Sequence, residues 1–164
     1  MGGFGVGVGE SLTASAVQNG AGFLLRRLLG RRIVISSPRH DELPQDGRPH
    51  GKPENNQTSY RVDGRLKRLP KGHEIWLLTQ DISTGRVWPQ GGGPVSLDER
   101  GVWHGRVVLG PPDKRYIVAV VAPPTSADFF RYYFSQAQKT NNWGALSRIP
   151  PECRNVARVE VRSV

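Results

Sequence analysis

A chain of 164 residues has room for one domain of ordinary size and a tail, and is too short for two independent cores. Its 23 basic and 14 acidic residues give a formal charge of +9, a field that predicts attraction to polyanions without choosing among nucleic acid, anionic lipid and an acidic protein. Twenty glycines and thirteen prolines suit short strands better than long helices, and the single cysteine excludes an internal disulfide.

Residues 1 to 30 lack the basic start of a secretory signal and any apolar run of eighteen or more, so they support neither export nor a full membrane span. Ala14, Val17, Phe23, Leu24, Leu28 and Leu29 share a helical stripe interrupted by Gly20 and Gly22. The pattern predicts a short amphipathic helix. Its sharper reading lays Phe23, Leu24 and Leu28 into an anionic leaflet with Arg26, Arg27, Arg31 and Arg32 at the head groups. Packing of that helix on its own domain is the plainer one.

"RRIVISSP" is a β-branched run stopped by Pro38 and predicts the first strand. Residues 39 to 59 are nearly devoid of apolar side chains and read as a polar loop. Tyr60, Val62 and Leu66 alternate in "YRVDGRL", a half-buried strand with a bulge expected at Gly64. "EIWLLTQ" is apolar on both faces, as in a central strand covered on each side. "DISTGRV" turns the chain, Val87 and Trp88 form a short strand, and Gly91, Gly92 and Gly93 predict a turn or lip. "VWHGRVVLG" and "RYIVAVVAP" are two further strands. "VARVEVRSV" closes the chain, with Ala157, Val159 and Val161 on one face and Arg158, Glu160 and Arg162 on the other.

One helix interrupts the strands. In "PPTSADFFRYYFSQAQK", Thr125 is the expected N-cap, complemented by Asp128, and Phe130, Phe134 and Ala137 form a stripe that Phe129, Tyr132 and Tyr133 widen. The element count predicts a mainly β fold: an immunoglobulin-like sandwich of about seven strands, with one helix before the last strand and a short N-terminal helix. The domain limits follow as an N-terminal segment at 1–30 and a sandwich at 31–164 carrying the polar loop at 39–59.

Sites are sparse. Trp76 reads as core, whereas Trp88 and Trp103, near strand ends beside Gly, Pro or His, suit a shallow stacking platform. Arg61, Arg65, Lys67 and Arg68 are the candidate phosphate or anion contacts. "QGGGPV" is no phosphate loop, because Pro94 and an extended segment follow where a helix is required. His40, His50, His73 and His104 are isolated from metal-ligand spacing; pairing of His104 with Asp98 or Glu99 is only one of many spatial combinations. Cys153 lacks an activating neighbourhood, and "NQT" at 56–58 is an accidental match to a glycosylation acceptor.

The run "GRLKRLPKGHEIWLLTQDISTGRVWPQ", with "IVAVVAPPTSADFFRYY" and "RIPPEC", resembles an immunoglobulin-like β-sandwich domain of uncharacterised, often membrane-associated bacterial proteins, over residues 31 to 164. The resemblance implies a preceding apolar or membrane segment and imports no catalytic residue. The arginines after Leu25 would keep the sandwich on the cytosolic side. The expectation is therefore a non-enzymatic binding or sensing module, without metal or small-molecule cofactor, cytoplasmic and peripheral at the inner face of a membrane. Its partner is an anionic membrane surface or an acidic protein; the alternative is a nucleic-acid-binding β domain that combines the basic residues with tryptophan stacking.

Overall fold

Strict alternation in a strand hides one face only, and that pattern organises the first of two sheets. The structure, a computed structural model, describes residues 32–38, 58–110 and 114–162. Among them lie β1 (Val34–Ser37), β2 (Thr58–Arg65), β3 (Glu74–Asp81), β4 (Val87–Pro89), β5 (Val102–Leu109), β6 (Lys114–Ala122), α1 (Pro124–Thr140) and β7 (Arg154–Arg162). The described residues are thus mainly β, with seven strands in two antiparallel sheets, ordered β1-β2-β5 and β4-β3-β6-β7, and one helix before the last strand. The expected N-terminal helix and most of the polar loop fall outside the described residues.

The sheets bury their facing sides against each other. Tyr60, Val62, Leu66, Trp103, Val107 and Leu109 from one sheet meet Ile75, Leu77, Ile117, Ala119, Val121 and Val161 from the other. The Tyr60 hydroxyl crosses the gap to donate to the Arg162 carbonyl, tying β2 to β7.

β3 and β6 are apolar on both faces because a second core lies behind them. Trp76, Leu78, Val118, Val120 and Ala122 are covered by Ala127, Phe130 and Phe134 of α1 and by Cys153. The Trp76 ring lies 5.2 Å from Phe130 and 6.0 Å from Phe134, and its indole N–H donates to Glu74 at 3.1 Å. Each such aromatic pair adds about 0.5–1.5 kcal/mol beyond its buried area. The chain after α1 completes the cover by pairing Leu146 with Val87 through hydrogen bonds of 2.8 and 3.0 Å.

Several local expectations are corrected. The helix is capped by Pro123 without a side-chain hydrogen bond, because Pro124 already sets the first-turn backbone; Thr125 lies inside it, and Asp128 binds Arg131 at 2.9 Å. The apolar stripe is narrower than expected, since Phe129 and Tyr132 are exposed. Towards β5, Gly64 keeps register opposite Trp103. Towards β1 the pairing slips between Ile35, opposite Gly64, and Ser37, opposite Asp63, so the irregularity expected at the glycine is present but its extra residue lies on β1. A second slip lies between Ala119 and Val121.

Candidate functional site

The outer face of the β1-β2-β5 sheet collects charge by period two. Residues at odd positions of β2 and even positions of β5 point away from the core, so Arg61, Asp63 and Arg65 share this face with His104 and Arg106. Register places Arg61 directly opposite Arg106, and Asp63 opposite His104. Two like charges facing each other across a ladder are unfavourable. Asp63 relieves part of that repulsion by accepting from Arg61 Nε at 3.2 Å, and it lies 2.6 Å from His104 Nδ1.

Partial burial pulls the Asp63 carboxyl upward, but hydrogen bonds from His104 and Arg61 and their positive charges outweigh it, and the group ends below its ordinary range. It stays ionised at neutral pH. Arg65 and Arg106 have no acidic partner among the described residues, which leaves three arginines against one carboxylate on the face. Val34, exposed on β1, lies opposite Arg65, and Arg32, two residues before this strand, is exposed as well.

Of the residues singled out from sequence, Arg61 and Arg65 lie on this face, while Lys67 and Arg68 are exposed in the loop beyond β2. Trp103 does not reach the surface: it is fully enclosed between the sheets, because inward parity on β5 is shared with Val107 and Leu109. Trp88 is half-buried and carries the Arg115 guanidinium 4.5 Å above its ring, so one indole face is already occupied. Neither tryptophan lies under the helix; α1 covers Trp76 on the opposite side of the second sheet. Arg106 and the Asp63 partner of His104 were not singled out from sequence. The alternation of "VWHGRVVL" carries the signal for Arg106, but Asp63 is visible only once the strand register is known.

Phe23, Leu24, Arg26, Arg27, Leu28 and Arg31 lie outside the described residues. Among those described, no helix is long and apolar enough to cross a membrane, and no group of three or more His, Cys, Asp or Glu side chains could hold a metal ion. Comparison with known proteins finds no matching family model, no similar curated protein and no similar solved structure.

Proposed function

We propose that this protein is a non-enzymatic binding module that docks flat on an anionic membrane surface, at the cytosolic side, through the outer face of its three-stranded sheet. The observation that carries the reading is the trio of Arg61, Arg65 and Arg106 on one solvent-facing sheet, of which only Arg61 has an acidic partner, Asp63, among the described residues. Exposed Arg32, two residues before β1, adds a basic residue next to the edge strand of this sheet. The His104–Asp63 pair sits on this open face, with a His104 side chain 55% exposed, a poor setting for water-excluding acid–base chemistry.

An immunoglobulin-like ancestry is part of the proposal. Lettered in chain order as A, B, C, C′, E, F and G, the strands give A-B-E against C′-C-F-G, which supports that arrangement. Nucleic-acid binding by base stacking is less favoured, since Trp103 is enclosed and Trp88 is shared with Arg115.

The test is co-sedimentation with vesicles containing phosphatidylserine. Each basic residue near such a surface contributes about 1 kcal/mol, so reversing Arg61, Arg65 and Arg106 to Glu is expected to weaken binding by at least about a hundredfold. Removing residues 1–31 weakens it further, and added salt weakens both forms. Equal binding to neutral and anionic vesicles, or an unaffected triple variant, refutes the proposal.

A further inference from the structure

The end of the sandwich where β2 leaves for β3, β6 enters α1 and β7 begins carries two adjoining hollows of about 450 and 550 Å³, both lined by Pro70 and Asn155. These volumes fall within the roughly 300–1,000 Å³ typical of small-ligand sites. The first hollow is built on Val121, which is 2% exposed, with Pro70 and Pro123 beside it, so it has an apolar floor.

Its charge is the opposite of what packing alone would choose. Arg154 lines the first hollow, and Arg68 and Lys71 line the second. None of the three forms an ion pair with a described residue, and the one carboxylate in the lining, Glu152, is outnumbered. Such a gathering of like charge raises the local concentration of anions. His73 lines the same cleft, held by an Nδ1 contact of 3.2 Å with the Lys71 carbonyl. Asn155, with φ of 52°, adopts left-handed backbone at the start of β7, where its pairing with β6 is irregular. An amide side chain there adds two neutral donors to the cationic rim.

We propose that this cleft binds a small organic oxyanion, a phosphate monoester or a carboxylate on a compact apolar body. The anionic group is held by the Arg68, Lys71 and Arg154 rim, and the apolar body lies on Pro70, Pro123 and Val121. The rim shares no residue with the Arg61, Arg65 and Arg106 trio, so the two readings are tested by different variants.

The experiment follows backbone amide signals of the isotope-labelled full chain during titration with phenyl phosphate, benzoate, inorganic phosphate and phenol. Phenyl phosphate or benzoate is expected to shift signals at 68–73, 121–125 and 152–155, and whichever binds more tightly identifies the anion. Inorganic phosphate and phenol, each lacking one half of the ligand, are expected to bind at least about tenfold more weakly. Arg154→Ala, a change at an exposed position, is expected to weaken binding about tenfold or more with the rest of the spectrum intact. The Arg61, Arg65 and Arg106 triple reversal should leave it unchanged. Absence of shifts in the cleft, shifts spread over every cationic surface, inorganic phosphate binding as tightly as phenyl phosphate, or undiminished binding by Arg154→Ala each overturns the proposal. Vesicle binding that survives any of these results leaves the membrane reading standing.

Discussion

Gly64 and Trp103 are fitted to each other. A Cβ on Gly64 would overlap the Trp103 ring on one side and the Val34 carbonyl oxygen on the other, so the indole occupies the volume that the missing side chain vacates. Neither obstacle is the flexible end of a long side chain. Gly64→Ala is expected to cost about 2–3 kcal/mol through overpacking, read as a lower midpoint in urea unfolding; an unchanged midpoint would show that the ring can slide aside. Asp81 acts locally. Its carboxylate accepts from the Ser83 hydroxyl foremost, then from the Thr84 amide and hydroxyl, and these bonds hold its pKa down from 3.8 to about 2. A depressed folded-state pKa contributes stability that is present above the unfolded value and lost as pH falls through the folded one. The stability gap between wild type and Asp81→Ala should therefore be full above about pH 5 and shrink as pH approaches 2. A gap that stays constant with pH would mean that the turn does not use the ionised carboxylate.

The elements differ in how much of them the sequence reveals. β3 and β6 advertise burial on both faces by their continuous apolar runs, and β7 shows its inward side through Ala157, Val159 and Val161, all of which pack towards the sandwich core. The helical stripe of Phe130, Phe134 and Ala137 is likewise legible, and all three residues are buried. What local pattern does not contain is the choice of partner. Trp103 shares the inward parity of Val107 and Leu109, but its seat on Gly64 follows only from the register of β5 against β2. Pairing across dozens of residues makes the glycine a notch for the ring as well as the site beside which the β1 register slips. The same reason hides the candidate site: Arg61 and Arg106 become a charged pair only through strand alignment. The cleft needs three separate junctions to converge, and single-strand periodicity carries none of that information.

At the scale of the molecule, the two cores are not independent layers. Ile75 and Leu77 face the inter-sheet core while Trp76 and Leu78, their immediate neighbours, face the helix, so fixing β3 for one core fixes it for the other. Cooperative unfolding of both is expected, as is usual for a domain of this size. Trp76 and Trp103 each report on a different core. In variants retaining only one of these two indoles, with the other tryptophans replaced by phenylalanine, the fluorescence midpoints within each chain should coincide with that chain's far-ultraviolet circular dichroism. Loss of the Trp76 signal at clearly lower denaturant than the dichroism would mean that the helix layer peels away first. Chain order adds a consequence for biosynthesis. Because α1 is encoded directly behind β6 and ahead of β7, a nascent chain halted just before Pro124 holds Trp76, Leu78, Val118 and Val120 with nothing to lay over them. The next seventeen residues to leave the ribosome supply that lid, so this apolar face can be shielded before the last strand emerges.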